Sequence, residues 1–118
     1  MKYLCMIFDD ESKWGTMTPE ESGAWMGEYG TFTKAIHESG QFVSGEALQP
    51  TATATTVRVR NGKISTTDGP FVETKEQLGG YYLIEARDLN EAIQVAARIP
   101  AARTGGIEVR PIMDTTGM

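Results

Sequence analysis

At 118 residues, 40% hydrophobic and 23% charged, the chain has the length and composition of one soluble domain with a single hydrophobic core. A net charge of -5 and a pI near 4.8 leave no basic footprint for nucleic acid and disfavour an anionic membrane surface, so the partners left open are a small or neutral molecule or another protein. The single cysteine, Cys5, excludes an intrachain disulfide and fits a reducing compartment.

Residues 2–8 read as a strand with both alternating sets apolar: Tyr3, Cys5 and Ile7 on one face, Leu4, Met6 and Phe8 on the other. Such a strand is covered on both faces. The run is too short for a signal sequence, Asp9-Asp10-Glu11 follow directly, and no stretch approaches the ~20 apolar residues of a membrane helix. A cytoplasmic location is therefore expected. Within this run Cys5 reads as a small core hydrophobe rather than a nucleophile.

Thr18-Pro19-Glu20-Glu21 is a helix start: Thr18 caps, Pro19 suits the first helical position, and Glu21 completes a capping box. The helix should run to about Ser39 and stop at Gly40. Trp25, Tyr29, Phe32 and Ile36 recur every three or four residues and form its core stripe. Gly23, Gly27 and Gly30 fall on roughly the opposite face, either tolerated there or open to a partner's backbone. His37, the only histidine, reads as a surface residue near the helix end.

Phe42-Val43 begins a short strand, and the Thr/Ala stretch 51–56 leads into another. Asn61-Gly62 is a two-residue hairpin signal that pairs Arg60 with Lys63, Val59 with Ile64 and Arg58 with Ser65. Val57, Val59 and Ile64 then share one face, Arg58, Arg60 and Lys63 the other. A strand over 80–86 follows, again apolar on both faces. Asp88-Leu89-Asn90-Glu91 is a second capping box, opening a helix that buries Leu89, Ala92, Ile93, Ala96 and Ala97 and ends at Pro100. Ile107, Val109 and Pro111 mark a last strand at a sheet edge. One domain should span 1–113, with 114–118 a loose tail.

The order β-α-β-(hairpin)-β-α-β is the α+β, ferredoxin-like arrangement. Two helices cover only one face of such a sheet, so a second copy of the sheet is expected on the other, as a dimeric barrel with a ligand pocket between sheet and partner.

The densest chemistry lies in Asp68-Gly69-Pro70-Phe71-Val72-Glu73-Thr74-Lys75-Glu76-Gln77-Leu78-Gly79-Gly80-Tyr81-Tyr82. Asp68 either hydrogen-bonds the amides of its own turn or serves as a general acid/base, a role open to a carboxylate whose pKa burial has raised. Glu73 or Glu76 is a further candidate proton acceptor, Glu73 taken as the catalytic one and Glu76 as substrate-binding, with Lys75 placed to stabilise an oxyanion; the plainer reading is a solvated ion network. Tyr81 and Tyr82 point to opposite faces, so one faces the cleft, and Tyr81 is taken as the substrate-binding one. Arg58 could meet an anionic ligand, and Glu46 could join the acidic cluster. No metal-ligand spacing, phosphate loop or nucleophile–histidine set is present, so neither metal nor cofactor is expected.

This run resembles the signature of the DGPF-type branch of YCII-related proteins, and Gly45-Glu46-Ala47-Leu48-Gln49-Pro50 and Ile107-Glu108-Val109-Arg110-Pro111 resemble its flanking parts. The resemblance implies a ferredoxin-like dimeric α/β barrel with a small-molecule cleft. It also implies a His–Asp pair, for which Asp68 is the acidic candidate; the histidine does not carry over, because Thr18-Pro19-Glu20-Glu21 stands at its place. Two functions follow as expectations: a cofactor-independent acid/base enzyme of isomerase or lyase type, or a regulatory module acting with an extracytoplasmic-function sigma factor.

Overall fold

The computed structural model describes residues 1–117. Six strands and two helices follow in the order β1 (Lys2–Asp9), α1 (Pro19–Glu38), β2 (Phe42–Ala47), β3 (Thr55–Arg60), β4 (Lys63–Asp68), β5 (Gln77–Glu85), α2 (Leu89–Ala96) and β6 (Gly106–Pro111). Short 3₁₀ turns occupy Glu11–Gly15, Thr51–Thr53 and Pro100–Arg103. Four strands form one antiparallel sheet in the order β2-β5-β1-β6, the ferredoxin-like topology, while β3 and β4 pair only with each other. Of the segment expected to be a loose tail, residue 118 lies outside the described residues, and Asp114 accepts hydrogen bonds from the amide and hydroxyl of Thr116.

β1 is central because it can be buried. Tyr3, Cys5 and Ile7 point toward the helices and are buried; Leu4, Met6 and Phe8 alternate onto the other face and stay half-exposed. Tyr82 and Ile84 of β5 join the first set. Burial pushes the Cys5 thiol up to about 11, as suits a core residue. Helix α1 begins as read: Glu21 N–H donates to Thr18 Oγ1 at 3.1 Å and Thr18 N–H to Glu21 Oε1 at 3.0 Å. Trp25, Phe32 and Ile36 are buried on the sheet, with Tyr29 packed beside them.

Helix α2 differs from expectation. It is only eight residues long and faces the sheet with Ala92, Val95 and Ala96, while Leu89, Ile93 and Ala97 are exposed. The apolar positions of so short a segment permit two overlapping faces; the small residues won because they let the helix lie close to the sheet. Its capping box is also modified, since Glu91 accepts from Arg87 N–H rather than from Asp88 N–H.

The hairpin has the expected register, Arg60↔Lys63, Val59↔Ile64 and Arg58↔Ser65, with Asn61 and Gly62 both at positive φ (53° and 73°). Neither of its faces is core, however: Val57, Val59 and Ile64 are all exposed.

At the far end of β1 the turn before β6 comes so close that a Cβ on Gly105 would overlap the Phe8 carbonyl oxygen and lie 2.9 Å from Asp9 Cα. Gly105→Ala should therefore destabilise the fold by about 3 kcal/mol through overpacking, read as a lower urea midpoint with unchanged slope.

Candidate functional site

Between α1 and the β2 side of the sheet lies a cavity of about 780 Å³. It occupies the helix-covered face; the cleft expected between the other face and a partner would be a separate site formed by a second chain. Three features open it. Helix α1 presents a second stripe there, Met26, Gly30, Thr33, Lys34 and His37, beside its core stripe. The facing strands carry small residues, Gly45, Ala47 and Gly80. The end of β1 and the turn after it close the floor with Ile7, Asp9, Glu11 and Trp14.

Aromatic side chains dominate the interior. Phe42 stacks on His37 with ring centroids 3.9 Å apart, Tyr82 packs edge-on against Phe32 at 5.1 Å, and Tyr29 lies edge-on to Trp25 at 5.8 Å. The Tyr82 and Thr33 hydroxyls share a 2.6 Å hydrogen bond, either oxygen being able to donate. Burial pushes the Tyr82 phenol up despite that bond, and burial pushes Tyr29 up to about 12 against a backbone contact at Ala101. Both phenols therefore stay neutral at physiological pH and act as hydrogen-bonding groups.

Two of the three acids bordering the cavity, Asp9 and Glu11, are committed to structure. Asp9 is buried, 8% exposed, and takes Lys13 Nζ at 2.8 and 2.9 Å, Thr104 Oγ1 at 2.8 Å and its neighbour's amide at 2.8 Å. Burial pushes its carboxyl up, but these donors together outweigh burial and hold it below the usual value. One side chain thus ties the end of β1 to the turn after it and to the turn before β6. Glu11 accepts from the amide and hydroxyl of Thr51, and its own amide donates to Gln77 Oε1 at 3.0 Å, which links three loops at the rim. The groups left to meet a ligand include the Tyr82–Thr33 pair, His37, Gln49, Glu46, Lys34 (in a 4.0 Å exposed contact with Glu38) and backbone carbonyls. No cluster of three metal-binding side chains occurs among the described residues.

Of the residues singled out from sequence, Glu46 and Tyr81 border the cavity and pair across β2 and β5. The alternation that turns Tyr82 inward sends the Tyr81 ring to the bare face. The others lie elsewhere. Asp68 ends β4, exposed, and does not cap its turn; instead Gly69 N–H donates to Ala54 O at 2.8 Å and Thr56 Oγ1 to Gly69 O at 2.9 Å. Arg58 is exposed with its guanidinium 4.7 Å from the Phe71 ring centroid. Glu73, Lys75 and Glu76 are exposed on the return to β5 and form no ion pair among the described residues, so the solvated network does not assemble. One chain therefore does not gather Asp68, Glu73, Lys75 and Tyr81 at one cavity. His37, Thr33, Tyr82 and Asp9 were not picked out as site residues; the legible signal was the stripe at 26, 30, 33, 34 and 37.

The anchoring role of Asp9 fixes a pH dependence. Its pKa is depressed in the folded chain, so its contribution is complete above the unfolded value and disappears as pH falls through the lower, folded one. Asp9→Asn should cost about 2 kcal/mol at pH 7. In urea unfolding between pH 7 and pH 2, that gap should close below about pH 4.

The chain matches the family model of the YCII-related domain over residues 1–116. It is also similar to an uncharacterised protein of Rhizobium meliloti (strain 1021), 37% identical over 114 residues that cover 95% of this chain and 92% of that one. No helix among the described residues is long and apolar enough to cross a membrane. An antiparallel β2-β5-β1-β6 sheet under two helices, matched along nearly its whole length, makes this chain a member of the YCII-related family.

Proposed function

We propose that this protein is a small-molecule-binding homodimer whose ligand is a mostly apolar, ring-containing organic molecule seated between α1 and the sheet. The cavity carries the reading: about 780 Å³ falls within the range of small-molecule sites, and apolar walls surround a few polar groups, as such sites require. A neutral ligand fits best, because Asp9 and Glu11 are already hydrogen-bonded, the phenols are un-ionised, and the remaining charges, Glu46 and Lys34, are opposite in sign and exposed at the border. The ligand's carbonyl or hydroxyl would meet the Tyr82–Thr33 pair, and its rings would meet Phe42 and Trp14. Leu4, Met6, Phe8, Tyr81 and Leu83 leave the other sheet face apolar and half-exposed, which suits a second copy.

Cofactor-independent acid/base turnover, an isomerisation or elimination, is the catalytic form of this reading. The motif in residues 68–82 favours the DGPF-type branch. A catalytic role for Asp68, Glu73 and Lys75 requires them to reach a cavity from a second chain, because they stand outside their own. A regulatory role beside an extracytoplasmic-function sigma factor is the second reading. Gly23 and Gly27 favour it, since a Cβ at either meets nothing within 4 Å and the outer side of α1 is open to close approach. Gly27→Trp should then abolish sigma-factor binding while sparing the ligand.

The primary reading is tested by filling the cavity. A Cβ on Gly30 also meets nothing within 4 Å, and this residue borders the cavity. Gly30→Leu should keep or raise the melting temperature, since leucine is the better helix former by ~1 kcal/mol. It should also weaken binding of neutral aromatic fragments at least about 10-fold, as displaced contacts worth about 1.4 kcal/mol imply. Ligand-observed NMR on both proteins checks this. Equal binding by the two would place the ligand elsewhere.

A further inference from the structure

The β3–β4 hairpin is a structural anomaly. Neither strand pairs with the four-stranded sheet, and every residue of the two except Thr56 is exposed. The chain measures 49 × 48 × 19 Å, broad and thin for its length. A two-stranded hairpin alone is marginally stable in water, and a free strand edge invites pairing or aggregation. Yet this hairpin is regular over six paired positions and carries an apolar side, with Val57, Val59 and Ile64 exposed by 61%, 56% and 75%. At its base Phe71 and Val72 add 70% and 60% exposed apolar side chains. A solvated arm has no use for five such residues.

Charge identifies what covers them. Segment 55–68 holds Arg58, Arg60 and Lys63 against one acid, Asp68, a net +2; with -5 overall, the rest of the chain carries -7. The arm is thus opposite in sign to the body that bears it, while its own body leaves it uncovered. A second copy of the same chain supplies the complementary surface twice over, once for each arm, in a closed two-fold arrangement.

We propose that the hairpin is a reciprocal clasp. Each arm docks its Val57, Val59 and Ile64 face on the other copy, while Arg58, Arg60 and Lys63, on the opposite face of the hairpin, draw the arm toward that copy through its net negative charge. The inference rests on the homodimer reading above and adds to it the surface that holds the dimer. It also gives the segment from Asp68 to Lys75 a place. Those residues form the root of the arm, so docking carries their side chains to the neighbouring copy, where exposed acids and a lysine of one chain stand beside the body of another.

The test uses light scattering and sedimentation on the intact chain and on two arm variants, with circular dichroism as the folding control. Val59→Lys combined with Ile64→Lys should turn a dimer into a monomer at micromolar concentration with an unchanged spectrum, because the arm supports nothing in its own body. Arg58→Glu combined with Arg60→Glu and Lys63→Glu leaves the apolar side intact and should weaken the dimer at least 10-fold. It should also reverse its salt dependence, because added salt then screens repulsion instead of attraction. A wild-type dimer that both variants preserve overturns the clasp and leaves dimerisation through the sheet face standing. A wild-type monomer overturns both.

Discussion

Two helices must cover a four-stranded sheet, and they cannot. Helix α2 is only eight residues long and, with Ala92, Val95 and Ala96, lies over the β6 side; α1, at 20 residues, has to span the rest. It seals the centre with Trp25, Phe32 and Ile36 and leaves the β2 side hollow, because the second stripe of the helix is small or polar and the strands beneath carry Gly45 and Gly80. Among the described residues no helix covers the opposite sheet face, where Leu4, Met6, Phe8, Tyr81 and Leu83 are half-exposed. A cavity on one side and a bare apolar surface on the other follow from the same shortage of helix.

A hollow of this kind survives only if its frame is fixed. Burying a carboxylate is costly unless donors surround it, so Asp9 is stable only with Lys13, Thr104 and the Asp10 amide all in place. That demand works in reverse as a brace. The charge holds the end of β1, the turn after it and the turn before β6 in one geometry, and Gly105 allows the last of these to come close enough. Glu11 does the same for the loops at the rim. Asp9 and Glu11 thus act as struts, and inside the cavity recognition falls to hydroxyls and rings, with Glu46 and Lys34 exposed at its border. A site of that composition favours neutral, flat molecules over charged ones.

Much of the fold could be read from residue order. The Thr18–Glu21 box, the stripe through Ile36, the Asn61–Gly62 turn and the two-faced strands specify their elements through local chemistry. Helix α2 was misread because eight residues give too little periodicity to choose between adjacent faces. The cavity under α1 went unforeseen for a different reason. A run apolar on both faces shows that each needs a cover, but not how well a helix fits its own. Gly30 was assigned to the outer side of α1, yet it borders the hollow; its position between two stripes only has meaning once α1 is set on the sheet. The chemistry-rich run at 68–76 drew attention because its residue types are unusual, and those residues turned out to be exposed at the root of the arm. Distance from the cavity is a tertiary property, invisible to a motif.

The account depends on the hollow between α1 and the sheet being a binding site rather than a packing defect. The most direct measurement is a crystal structure after soaking with a neutral bicyclic aromatic alcohol. The account predicts the rings between Phe42 and Trp14 and the hydroxyl within hydrogen-bond distance of Tyr82 or Thr33. An empty or collapsed cavity, with Met26 and His37 folded onto β2 and the probe absent or bound on the bare sheet face, would contradict it.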